Sequence, residues 1–389
     1  MSVKQKAEGC IRRMIYLDNA ATTLFKPSVV YETYFDAVLH DSANAGRGGH
    51  RHAMRASEMV SDAAEAVASL FGIGCPERIA FTQNTTMALN LAIHGFCVPD
   101  MHIVLTGMEH NSVLRPVVYS GCAYSIAEAD ADGFVSPQAL KKAMRRNTKL
   151  VIVNHVSNVC GSVQDLKALS DVAHENGACF LVDAAQSGGV IEIDVEKQGI
   201  DMLAFAGHKG LMGPLGTGGL YVSESVSLRP HLQGGSGSMS ESIYQPDAMP
   251  DLLVSGTVNA PAIAALGSAV RYVQKNGTAA IAAHERMLAD ALQENLRAMP
   301  RVKVFRSVKD NSGVVSFQVC DINPVEVSRM LDADYGIAVR SGLHCAPLAH
   351  KSLGTFPAGT VRASFGWFNS MRDVHVLTKA VHDICKRCI

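Results

Sequence analysis

The chain has 389 residues, 48% of them hydrophobic, with 35 basic and 36 acidic side chains and a net charge of −1. Such a length suggests two or three domains, and so even a charge balance argues against the basic face that nucleic-acid binding requires. The opening MSVKQKAEGCIRRM lacks the apolar core of a secretory signal, no window suits a membrane span, and ten scattered cysteines fit reduced thiols better than a disulfide scaffold. A cytoplasmic protein is therefore expected.

From residue 79 to 222, short apolar runs alternate with helical patterns. Strands are predicted at Ile79–Phe81, Ile103–Leu105, Ala123–Ile126, Leu150–Asn154, Phe180–Val182, Met202–Phe205 and Gly219–Val222, with helical stretches such as Met87–His94 and Leu166–Asn176 between them. That alternation predicts an α/β fold with a mostly parallel sheet covered on both faces. In such sheets ligands sit beyond the carboxyl ends of the strands. The Gly/Ser-rich GGSGSMSES (234–242) interrupts the pattern. Helices follow at Ala260–Lys275 and Ala279–Met299, then strands at Val302–Phe305 and Val314–Val319. A helix at Pro324–Asp334, strands at Ile337–Arg340 and Thr360–Phe365, and a last helix near Arg372–Cys385 complete a smaller α+β domain. The division expected is a large domain over 16–265 and a small one from 1–15 with 266–389.

No G-x-G-x-x-G follows a strand, and neither a P-loop nor H-E-x-x-H is present, so dinucleotide, P-loop and zincin chemistries lack their motifs. The C-x-x-C of Cys385 and Cys388 has no second pair, and no metal site is expected.

What remains is a set of polar residues at strand ends. Asp183 closes the apolar run CFLVD, where an acid is costly unless partnered; it could cap a helix or face a cationic ring nitrogen of a cofactor such as pyridoxal phosphate (PLP). Lys209, in a Gly-rich turn beside His208, is either a solvated loop lysine or a Schiff-base amine with a lowered pKa. Thr85 and Thr86, between a strand and a helix, can cap that helix and bind a phosphate there. His110 could stack on a flat ring and Asn158 could bond its hydroxyl. Cys345 follows Arg340 and His344, cations that would favour thiolate. Arg362 lies inside an apolar strand and can grip a carboxylate in bidentate fashion.

The ordered segments YLDNAATT, TQNTTMALNLA, MEHNSV, VSNVCGSV, LVDAAQS, AGHKGLMGPLGTGGLYV, VSGTVNAPA, VRSGLHCAP and VRASFGWFN together resemble the cysteine desulfurases and selenocysteine lyases of the class V aminotransferase family, fold type I of PLP-dependent transferases. The resemblance runs from about Tyr16 to the C-terminus. It implies a homodimer with L-cysteine or L-selenocysteine as substrate and sulfur passed to an enzyme cysteine as persulfide, alanine being released. A sulfur-acceptor protein is a further partner it allows.

By the same resemblance Lys209 holds the cofactor, Asp183 pairs with its ring nitrogen and His110 stacks on the ring. Asn158 and Gln186 bond the hydroxyl side, and Thr85, Thr86 and His208 hold the phosphate. Thr257 reaches the phosphate of the neighbouring subunit. Arg362 takes the substrate carboxylate with Arg340 and Asn158 assisting, and Cys345 receives the sulfur. Two positions depart from the relatives: Ala206 stands where many have serine, and Leu343 replaces the first histidine of a G-H-H-C loop. The rival readings are a selenocysteine lyase, a PLP lyase for another amino acid, and a degenerate PLP scaffold that only binds a partner.

Overall fold

The computed structural model describes residues 14–46, 48–307 and 309–387; Cys388 and the first 13 residues assigned to the small domain lie outside these. Strand β1 (Ile15–Tyr16) precedes helices α1 (Ser28–His40) and α2 (Arg51–Phe71). There follow β2 (Ile79–Thr82), α3 (Thr85–Phe96), β3 (His102–Thr106), α4 (Asn111–Ser120), β4 (Ala123–Ala127), α5 (Pro137–Ala143) and β5 (Thr148–Asn154). Next come α6 (Leu166–Glu175), β6 (Cys179–Asp183), β7 (Met202–Ala206) and β8 (Gly218–Val222). Helices α7 (Ala260–Asn276) and α8 (Thr278–Arg297) lead into β9 (Val302–Phe305), β10 (Val314–Val319), α9 (Pro324–Tyr335), β11 (Ile337–Ala338) and β12 (Arg340–Gly342). The described chain ends with α10 (Pro347–Ser352), β13 (Thr360–Ser364) and α11 (Met371–Arg387).

The seven predicted strands between 79 and 222 form one sheet in the order β2-β8-β7-β6-β5-β3-β4. Strand β8 is antiparallel to both neighbours, and the other pairings are parallel. Successive side chains enter opposite cores: Val151, Val153, Phe180 and Val182 on one face, Leu150, Ile152 and Leu181 on the other. Both faces are thus covered, which is why these strands read as unbroken apolar runs. Polar groups accumulate where the parallel strands stop, at Asn154 and Asp183.

A second, antiparallel sheet has the order β12-β13-β10-β9. Its core holds Val315, Phe317, Val361 and Ala363 with Leu288 of α8 and Leu377 of α11. The helix before it, α7, sends Leu266 and Val270 into the core of the seven-stranded sheet instead. The single strand predicted over Ile337–Arg340 is two. Ile337–Ala338 pairs in parallel with β1, and Arg340–Gly342 pairs with β13. Between β12 and β13 lies the short helix α10. Among the described residues no helix is long and apolar enough to cross a membrane, and no group of side chains is arranged to hold a metal ion.

Candidate active site

A cavity of about 230 Å³ opens at the carboxyl ends of the parallel strands. Ten of the predicted residues line it: Thr85, Thr86, His110, Asn158, Asp183, Gln186, His208, Lys209, Arg340 and Arg362. Asn84, Asn154, Ser112 and His344 complete much of the wall.

Each is placed by local structure. Asn84 caps α3 by accepting the Met87 N–H at 2.9 Å, which leaves Thr85 and Thr86 in the first turn. The buried Thr85 hydroxyl has no partner. An unpaired hydroxyl at a helix N-terminus is a ready anion site. His110 caps α4, its Nδ1 accepting the Ser112 N–H at 3.1 Å. Burial, reinforced by the Lys209 charge, lowers the imidazole to about 4, so the ring stays neutral. Asp183 is buried at the end of β6, where Oδ1 accepts the Ala185 N–H at 2.9 Å. Burial raises its pKa, and the Ala185 N–H and the Lys209 charge oppose the rise.

Burial pulls the Lys209 amine from 10.5 down to about 8; Asp183 opposes the shift, and Arg362 and Arg340 add to it. His208 is likewise lowered to about 4, chiefly by burial. The segment after β1 binds this half of the site together. Thr23 Oγ1 donates to the Lys209 carbonyl at 2.8 Å, Gln186 Nε2 donates to the Ala20 carbonyl at 2.8 Å, and Thr22 Oγ1 lies 3.2 Å from His208 Nδ1.

Strand β13 delivers Arg362, 1% exposed, to the same cavity. Its Nη1 donates to the Asn158 carbonyl at 3.0 Å and its Nη2 to Asp18 Oδ1 at 2.7 Å, while Nε has no partner. Asn158 donates through Nδ2 to the His344 carbonyl at 2.7 Å, leaving Oδ1 unpartnered.

Two predicted residues stand outside the cavity wall. Cys345 is exposed on the turn beside His344, and its carbonyl accepts the Asn111 N–H at 2.7 Å. One part of the sequence argument is corrected here. His344 is buried, and desolvation reinforced by Arg362 lowers it to about 2, so it is neutral and adds no positive charge beside the thiol. Thr257 lines a separate cavity of about 580 Å³, which shares Asn84 and His208 with the first. The carboxyl of Glu109, next to His110, is fully enclosed; burial raises it to about 8, with the Thr106 hydroxyl opposing.

Asn84, Asn154 and Asp18 escaped the sequence argument. Asn154 and Asp18 each follow an apolar run directly, the same signal that singled out Asp183.

The residues fit PLP: a buried carboxylate for a ring nitrogen, an unpaired hydroxyl at a helix start for the phosphate, and an unpaired amide oxygen in the same cavity as a desolvated lysine. Fold and site together define an α/β enzyme whose central sheet is covered on both faces and whose polar residues gather at the strand ends. The aminotransferase class-V pattern matches residues 15–377, and the chain belongs to that family. A relative from Methanothermobacter thermautotrophicus described as a probable cysteine desulfurase is 35% identical over 96% of this chain and 95% of its own. The apo structure of a cysteine desulfurase from Thermococcus onnurineus superimposes with a TM-score of 0.91, at 34% identity over 99% of both chains. The cysteine desulfurase CsdA of Escherichia coli gives a TM-score of 0.88 at 27% identity, covering 97% of this chain and 96% of its own.

Proposed function

We propose that this protein is a PLP-dependent cysteine desulfurase of the cytosol. The observation that carries the reading is that Lys209, Asp183, Arg362 and Arg340 line one cavity together, with Cys345 on the turn beside its wall residue His344.

Bound there, PLP would supply an electron-withdrawing ring able to take up electrons from the substrate's Cα. Lys209 would hold it, and a pKa near 8 keeps a fraction of the Lys209 amine as free base at neutral pH, able to move the Cα proton. Asp183 would keep the ring nitrogen protonated, and the neutral His110 would support the ring. Thr85, Thr86 and His208 hold the phosphate, with Asn158 and Gln186 on the hydroxyl side. Arg362 takes the substrate carboxylate with Arg340 assisting. The Cys345 thiolate attacks the substrate sulfur: a sulfur–sulfur bond forms, the carbon–sulfur bond breaks, and its electron pair stays with the three-carbon fragment, which takes up a proton and leaves as alanine. Overall, L-cysteine and the Cys345 thiol become L-alanine and the Cys345 persulfide, which a second thiol can accept.

We also propose a homodimer in which Thr257 completes the partner's phosphate site. Supporting it, α1 exposes Tyr31, Phe35 and Leu39 at successive i, i+4 positions, each more than half exposed, an apolar stripe suited to an isologous contact.

The test is mass spectrometry after brief exposure to L-cysteine. An added mass of about 32 Da on Cys345, one sulfur atom, is the expected result. Persulfide on another cysteine, with Cys345 unmodified, overturns it.

A further inference from the structure

Arg362 enters the site already holding a carboxylate. Asp18 lies on the segment after β1, which bridges in parallel to Ser364 of β13, and its Oδ1 stands 2.7 Å from Arg362 Nη2. The arginine side chain is 2% exposed and the aspartate 22%. Arg362 lines the cavity and Asp18 does not, so the acid reaches the guanidinium from behind the wall. Among the described residues no other carboxylate pairs with Arg362, while Arg340 adds a second positive charge on the same side.

We propose that Asp18 is a built-in counter-carboxylate that sets the affinity of Arg362 for the substrate's α-carboxylate and keeps it low. This deepens the reading of Arg362 as the substrate-carboxylate arginine and rests on it. A guanidinium with no counter-charge in a buried site is costly. Asp18 supplies that charge in the empty enzyme, so an arriving carboxylate finds a cation already half neutralised and gains less. Substrate and product carry the same α-carboxylate, so Asp18 weakens both and lets alanine leave. Its carboxylate touches neither substrate nor reacting atoms, which makes it a positioning and affinity-setting residue.

The opposite expectation, that Asp18 merely holds Arg362 in its productive pose, predicts the reverse sign, and this gives the inference its test. In Asp18→Asn the shape is kept and the charge lost. Calorimetric titration of the PLP-loaded enzyme with L-alanine should show binding about fivefold tighter than wild type, the scale of a partly exposed ion pair. KM for L-cysteine should fall by a similar factor. Without ligand the variant should melt below wild type, and saturating L-alanine should recover more of its Tm than it adds to wild type. Asp18→Ser should behave alike if the asparagine variant is insoluble, and Asp18→Glu, which restores the charge, should return alanine affinity toward wild type. Arg362→Lys separates the two levels. If it binds L-alanine as wild type does, the carboxylate reading of Arg362 fails and the inference falls with it. If Arg362→Lys loses alanine while Asp18→Asn binds it equally or more weakly than wild type, the inference alone is overturned.

Discussion

Glu285 offers a quantitative test of the energetics. It lies on α8, is 7% exposed and borders a cavity of about 30 Å³ with Gly313 and Trp367. Burial alone raises its carboxyl from 4.5 to about 8. The folded protein therefore keeps a proton that the unfolded chain releases. Because the folded-state pKa is the higher one, this group's contribution is most favourable below pH 4.5 and is lost as pH rises from 4.5 towards 8. At pH 7 the span from 4.5 is worth roughly 3 kcal/mol at about 1.36 kcal/mol per unit. Glu285→Gln keeps the shape and removes the titration. The variant should be more stable than wild type by up to about 3 kcal/mol at pH 7 and nearly equal to it at pH 4.5. Urea unfolding of both proteins at several pH values between 4.5 and 8 measures this difference and cancels groups common to both, including the similarly raised Glu109. A difference that stays flat across the range, or grows toward acid, refutes the argument.

Lys209→Ala should lose the visible absorption band that borohydride bleaches in the wild type, and the reduced cofactor adduct should map to Lys209 in the wild-type digest; an adduct on another lysine defeats the assignment. Asp183→Ala should still take up cofactor and lose turnover by two orders of magnitude or more, about 3 kcal/mol of ring-charge stabilisation, and near-wild-type alanine production would refute its role. Cys345→Ala should bind PLP and change its spectrum with L-cysteine while forming little alanine and no persulfide; full alanine production would remove Cys345 from the reaction. Sedimentation should show a dimer, and Thr257→Ala should weaken PLP retention; an active monomer contradicts the shared site.

The strands of the large sheet were legible because both faces are buried, so Val, Ile, Leu and Phe fill every position from Leu150 to Val153 and from Phe180 to Val182. Helix α2 was not. Before Val67 and Phe71 in its last turns, its buried residues are all alanine, Ala53, Ala56, Ala63 and Ala66, and alanine marks helical periodicity poorly because it lies inside and outside alike. The split at Val339 was hidden for a different reason: β11 and β12 adjoin in sequence but pair with different partners, which no local pattern records. In the site, residues whose chemistry is costly in an apolar run, Asp183 and Arg362, stood out. Asp18 carries the same signal but follows only four apolar residues, and its partner lies 344 positions away. The proton state of His344 depends on being enclosed by the tertiary fold, which the R-S-G-L-H-C string does not show.

His344 and Cys345 are consecutive non-glycine residues with positive φ, 47° and 56°. L-residues in this region cost roughly 1–2 kcal/mol each. The turn is held by two crossing bonds, from Asn158 to the His344 carbonyl and from Asn111 to that of Cys345, and the His344 ring is pinned to Thr360 Oγ1 at 3.0 Å. The exposed Cys345 thus sits on a strained turn, like a sprung latch whose catch lies in the surrounding framework. A His344→Gly change would ease the backbone and at the same time free the thiol to wander, so at this one turn a relaxed chain and a fixed thiol are alternatives.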